Sequence, residues 1–166
     1  AGIPVRFHAR YPDWEIGNSD QARSEQALKV HLNTIDAIAG LGEPVLTVHV
    51  GLDSSALLNY GSVKENLCRL TGYAAKKGIT INLENLRTGM TSDPRVMLDL
   101  TEASGASITL DVGHAVSSKQ VAVGEYTALQ IIEMLGSRIN GVHIYAKEES
   151  NCHLPIENMN CMAPIV

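Results

Sequence analysis

The sequence predicts an α/β fold, a (β/α)8-type barrel of parallel strands, and three observations carry that expectation. Short apolar runs alternate with stretches of helical periodicity along the 166 residues, as in parallel strands joined by right-handed crossovers. Five of those runs finish on a residue able to ligate a metal: His8, His49, Glu84, Asp111 and His143. These positions lie roughly 27 to 41 residues apart, one strand-helix unit each. Finally, no Gly-rich phosphate loop follows the first strand, as an open doubly wound sheet would usually carry. A barrel instead gathers residues from many strand ends at one face.

Taken in order, residues 3–8 read as the first strand and 9–18 as a loop containing Trp14. A helix follows from Ser19, with Leu28, Leu32, Ile35 and Ala39 at helical spacing and Gly40 and Gly42 as its stop. Residues 44–50 are nearly all apolar, as in a strand covered on both faces. Ser62 and Glu65 make a capping box, and Val63, Leu67, Leu70 and Ala74 a stripe ending at Gly78. The strand over 79–83 finishes at Glu84. Asp93-Pro94 starts a helix that runs to about Ser104 before Gly105. A strand over 107–111, a loop, a helix over 125–135 and a strand over 139–145 follow. Residues 147–155 read as loop, and 158–166 as the start of another helix.

A chain of this length buries a core as one domain, residues 1–166. With 45% hydrophobic but only 4% aromatic residues, aliphatic packing must supply most of that core. The net charge of −5, with no Lys/Arg cluster beyond Lys76-Lys77, weighs against a nucleic-acid partner. Bound divalent cations would offset part of that charge. Three cysteines, Cys68, Cys152 and Cys161, lack disulfide-like spacing and suggest a reducing compartment. With no apolar run near ~20 residues and no signal-peptide pattern, the expectation is a cytoplasmic protein without a membrane partner.

A full eight-stranded barrel takes about 250 residues, whereas five strands are secure here. An open barrel would expose parallel edges, which proteins avoid. The expectation is therefore a partial barrel lacking its first and last strand units. Completion by a second chain, in a homo-oligomer, is the alternative.

Single polar residues have structural explanations. His31 sits beside the apolar stripe of its helix, Cys68 reads as core, and Asp111 alone could cap a neighbouring loop. The set argues otherwise. His8, His49, Glu84, Asp111, His114, His143 and His153 all fall at or just beyond strand C-terminal ends, and include five of the six histidines. Burying so many ionisable groups without a partner costs several kcal/mol each, on the order of the charge-burial penalty. A cation removes that cost, and mixed N/O ligands point to Zn2+ or Mn2+ rather than Ca2+.

The segments Asn82-Leu83-Glu84-Asn85, Leu110-Asp111-Val112-Gly113-His114-Ala115, Val142-His143-Ile144 and His153-Leu154-Pro155-Ile156 resemble the xylose-isomerase-like barrel superfamily. That group holds sugar and sugar-phosphate isomerases and epimerases, and the endonuclease IV class of DNA-repair enzymes. In the isomerase branch the resemblance implies one divalent metal on Glu84, Asp111 and His143, with a fourth ligand, a last-strand glutamate, beyond Val166. In the endonuclease branch it implies three zinc ions, with His8, His49 and the Asp111–His114 pair as ligands. The last metal motif of that branch reads Asn151-Cys152-His153 here, with an amide in place of a carboxylate.

The resemblance implies a metal-dependent isomerase or epimerase acting on a small sugar or sugar phosphate through an enediolate. Glu84 would also move the proton beside the carbonyl. His114 and His153 would position hydroxyls, Trp14 would cover the sugar ring, and Arg87 or Lys147 would meet a phosphate. The alternatives are a multi-zinc phosphodiesterase acting at abasic DNA, and a metal-binding barrel without turnover.

Overall fold

The computed structural model describes residues 4–9, 15–50, 58–145, 147–149, 152–154 and 156, with only the backbone for 147–149 and 152–154. Trp14, Asn151, Cys161 and the expected helix over 158–166 lie outside the described residues. Five parallel strands form one sheet in sequential order: β1 Phe7–His8, β2 Val45–Val48, β3 Thr80–Glu84, β4 Ser107–Asp111 and β5 Ile139–His143. With a helical connection after each of the first four strands, this is the architecture of an incomplete TIM barrel. Sequential parallel pairing turns every C-terminal strand end to one side, and those ends carry the polar residues.

Alternation along each strand divides the chemistry between two faces. Leu46, Val48, Ile81, Leu83, Ile108 and Leu110 are fully or almost fully buried in the apolar core. They share that core with helices α1 Gln21–Ile38, α2 Tyr60–Lys76 and α3 Pro94–Ser104, which contribute Leu28, Ile35, Leu67, Leu70, Met97 and Leu100. Each such side chain contributes about 1.5–3 kcal/mol by leaving water.

The opposite face is polar. Two residues before each site position stand Arg6, Thr47, Asn82, Thr109 and Gly141, and all five line a cavity of about 120 Å3 beneath His8 and His143. Thr47 Oγ1 and Thr109 Oγ1 are 2.8 Å apart, Asn82 donates to Thr109 at 3.1 Å, and Asn140 donates to Asn82 at 3.2 Å. Arg6 donates to the Asn140 carbonyl at 2.8 Å and so ties β1 to β5. A register shift separates β4 from β5: Ile108 pairs with Ile139, but Thr109 pairs with Gly141, leaving Asn140 as an extra residue.

Several boundaries differ from the sequence expectation. The first strand is limited to Phe7–His8, and the fifth ends at His143 rather than Tyr145. Helix α2 starts before the expected capping box, because the Asn59 side chain accepts the Ser62 amide and caps the helix one turn earlier. Ala39 lies just past α1 as its exposed C-cap. Helix α3 matches expectation, with Asp93 at its N-cap and Gly105 in the left-handed conformation closing it.

The expected loop after Asp111 contains two short helices, α4 Val112–Val116 and α5 Lys119–Ala122, capped by Asp111 and Ser118. The next helix, α6 Ala128–Leu135, begins later than expected, because Thr127 and Gln130 form a reciprocal capping box. Finally, Lys147–Glu149 and Cys152–Leu154 pair as an antiparallel hairpin, β6 and β7, where a loop was expected. Among the described residues no helix is long and apolar enough to cross a membrane.

Candidate metal centre

Strand β3 delivers Glu84 to the middle of the strand-end cluster, only 3% exposed. His8 Nε2 lies 2.9 Å and His49 Nε2 3.0 Å from Glu84 Oε2. His143 Nδ1 lies 3.1 Å from Oε1. Burial opposes ionisation of this carboxyl, but hydrogen bonds from His143, His49 and His8 outweigh it and hold Glu84 well below the usual carboxylate range. The same contact with Glu84 raises His8 and His143 above the ordinary imidazole value, against the opposing effect of burial.

His8 Nδ1 is 2.8 Å from the Ala9 carbonyl, which can only accept, so Nδ1 carries the proton. In the neutral ring, Nε2 then presents its lone pair to a carboxylate oxygen. Two acceptors at hydrogen-bonding distance require a positive species between them, either a second proton or a metal cation. His114 uses the same device: Nδ1–H donates to the Asn85 carbonyl at 3.0 Å and leaves Nε2 as the lone-pair nitrogen.

Asp111, at the end of β4, is completely buried. Its Oδ1 accepts the His114 amide at 2.8 Å and the Tyr145 hydroxyl at 2.9 Å. Its Oδ2 has no hydrogen-bond partner among the described residues, and lies 3.8 Å from His114 Nδ1 and 4.0 Å from His143 Nδ1. Asn85, next to Glu84, holds this side of the cluster together. It donates to the Asp111 carbonyl at 2.9 Å and accepts the Asp111 amide at 2.7 Å. Burial and the Asp111 charge push the Tyr145 phenol well above its ordinary value, so it remains a donor.

These residues fit a divalent cation. The ligating atoms of His8, His49 and Glu84 lie within 4.8 Å of one another, as do those of Glu84, Asp111 and His114. The two sets share Glu84. Imidazole nitrogens with carboxylate oxygens suit Zn2+ or Mn2+, and Asp111 Oδ2 is a buried acceptor whose satisfaction such an ion would supply.

Six of the seven expected metal-type residues therefore converge: His8, His49, Glu84, Asp111, His114 and His143. The seventh, His153, is described only as backbone on β7, and Lys147 likewise on β6. Arg87 lies beside the cluster, where its Nε donates to Ser117 Oγ at 3.0 Å, and its charge acts on Tyr145. As for the residues given structural readings, His31 is buried in α1, while Cys68 is half-buried rather than fully in the core.

Asn85 and Tyr145 were not expected as site residues. Tyr145 had a signal, since two residues past His143 falls on the same face of an extended chain. Asn85 had none beyond its place next to Glu84.

Parallel strands of an incomplete TIM barrel, with histidines and carboxylates gathered at their C-terminal ends, define a TIM-type barrel with a candidate metal site. The chain belongs to the xylose isomerase-like TIM barrel family, whose model matches residues 1–158. An uncharacterized protein of Methanocaldococcus jannaschii is 29% identical over 142 residues, 86% of this chain and 60% of that protein. This chain thus spans less than two thirds of that relative's length.

Among solved structures, a D-tagatose 3-epimerase-like protein superposes with a TM-score of 0.76 at 19% identity, over 98% of this chain and 67% of its own. A 3-keto-D-glucoside 4-epimerase from E. coli superposes with a TM-score of 0.70 at 17% identity, over the same shares. Other similar structures include a Mycobacterium smegmatis barrel in complex with magnesium and a Thermus thermophilus protein soaked with zinc chloride.

Proposed function

We propose that this chain carries the metal centre of a divalent-metal-dependent isomerase or epimerase acting on a small sugar or sugar phosphate. The observation that carries the reading is the convergence of buried Glu84 and Asp111 with His143, Glu84 Oε1 to His143 Nδ1 being 3.1 Å. The likeness to sugar epimerases supports it. When bound, the cation polarises the substrate carbonyl and stabilises negative charge developing on its oxygen. Glu84, held ionised, accepts the proton from the carbon beside the carbonyl. His114 Nε2 orients a substrate hydroxyl, and Asp111 stays fixed by its bonds to Asn85 and Tyr145.

A second reading is a multi-metal phosphodiesterase acting at abasic DNA. It is favoured by His8 and His49, both within 3.0 Å of Glu84, which a single-metal epimerase does not need. The net charge of −5 weighs against it.

The test is metal analysis of the purified protein, followed by epimerisation of a panel of ketoses and ketose phosphates. The same preparation is then incubated with an abasic-site duplex. Turnover of a ketose without nicking supports the first reading. Nicking without turnover replaces it with the second.

A further inference from the structure

We infer that Tyr145 is a positioning residue of the metal centre: with the His114 amide it saturates Asp111 Oδ1 and thereby presents Oδ2 alone to the cation. The inference rests on the metal centre proposed above and concerns how one ligand is aimed.

The two oxygens of Asp111 are unequal. Oδ1 accepts at 2.8 Å from the His114 amide and at 2.9 Å from the Tyr145 hydroxyl, while Oδ2 has no hydrogen-bond partner among the described residues. The carboxylate is wholly buried, so an unsatisfied oxygen is costly unless a ligand completes it. The last torsion of an aspartate is broad and roughly two-fold, and does not itself choose which oxygen points where. The choice must come from donors outside the side chain.

The His114 amide supplies one such donor, as the first turn of α4 would supply to any N-cap. Tyr145 supplies the second from a different element, beyond the end of β5. Removing that hydroxyl leaves Oδ1 with one donor and frees the carboxylate to rotate toward a two-oxygen grip on the metal.

Gly113 gives an independent sign that the Tyr145 ring is meant to lie there. A Cβ at position 113 would stand 2.4 Å from the Tyr145 hydroxyl oxygen and 2.5 to 2.6 Å from two ring carbons. The turn between Asp111 and His114 thus has a side chain missing where the phenol rests. Tyr145 merely covering that turn would have no need of a hydroxyl on the ligand.

The probe is Co2+ alone, titrated into the purified full chain by calorimetry and by visible absorption, which reports coordination number and geometry. Tyr145→Phe keeps the ring and deletes the hydroxyl; Gly113→Ala keeps the hydroxyl and displaces the ring. Both variants are expected to bind Co2+ about 10–100-fold more weakly than wild type, as loss of a ligand-orienting partner does, with altered band intensities.

Affinity within twofold of wild type in both, or a loss with an unchanged spectrum, would overturn the inference. If Tyr145→Phe fails to fold by circular dichroism, Gly113→Ala carries the same test. Wild-type protein that binds no Co2+ would sink the metal centre itself, an outcome separate from failure of the variants alone.

Discussion

Glu84 divides the cluster into two halves built on different principles. On one side stand His8 and His49, each at the end of its own strand. The His8 side chain is 40% exposed and held by a single bond to the Ala9 carbonyl besides its contact with Glu84. On the other side stand Asp111 and His114, three residues apart on one capped turn. Asn85 makes two bonds to the Asp111 backbone and one to the His114 ring, and Tyr145 makes a further bond to Asp111. The first half is an assembly of separate ligands, and the second is a preorganised unit. Strand ends alone bring ligands together, whereas a polar network fixes their orientation.

Glu84→Gln should produce the largest effect, because it removes the carboxylate both halves share. Metal content should fall to background and turnover of any active ketose by about 10²–10⁴-fold, the range for losing a positioned base. Unchanged turnover would remove Glu84 from the mechanism. Next in size is the effect of the metal itself. Zn2+ at about 100 times its Kd should stabilise the fold by about 2.7 kcal/mol. That corresponds to a rise of about 5–10 °C in Tm for a chain of this size, reversed by a chelator and read by calorimetry.

Asn85→Ala isolates the second half. Two side-chain bonds vanish and the buried Asp111 amide loses its acceptor, so stability of the metal-free protein should drop by about 1–3 kcal/mol in urea. A loss under about 0.5 kcal/mol, no more than an ordinary surface substitution gives, would mean that the unit is not held as described. The smallest effect is expected from His8→Ala. With that side chain 40% exposed, the change should cost about 0–1 kcal/mol of stability and leave single-metal binding at Glu84, Asp111 and His143 nearly unchanged. A large loss of metal in this variant would make the halves equivalent and favour the phosphodiesterase reading.

Much of the cluster was legible in the sequence because it follows one-dimensional patterns. An apolar run ending on His, Glu or Asp reads the same on paper as in the sheet, and all five such residues do meet, joined by His114 one turn past Asp111. The network that orients them was less legible. Asn85 acts on the backbone of Asp111, 26 residues away, and an asparagine after a strand looks like any turn residue. At the start of α2, Ser62 and Glu65 fit a capping box, yet Asn59 wins because its side chain reaches the Ser62 amide first. The polar inner face was hidden because Thr47 sits in a run that reads as an apolar strand covered on both faces, and Thr109 in a short apolar run.

The extra residue in β5 has a consequence for His143 that is a matter of parity. Side chains alternate with a period of two, so an inserted residue reverses every direction downstream of it. With Asn140 inserted, Gly141 pairs with Thr109 and His143 with Asp111, odd with odd, and the imidazole faces Glu84. Were Asn140 itself to pair with Thr109, Val142 would stand opposite Asp111 and the imidazole would turn to the outer face. Deleting Asn140 would therefore leave a regular ladder with His143 still opposite Asp111, whereas keeping Asn140 but losing the bulge would turn a ligand away from the centre without changing any ligand's identity.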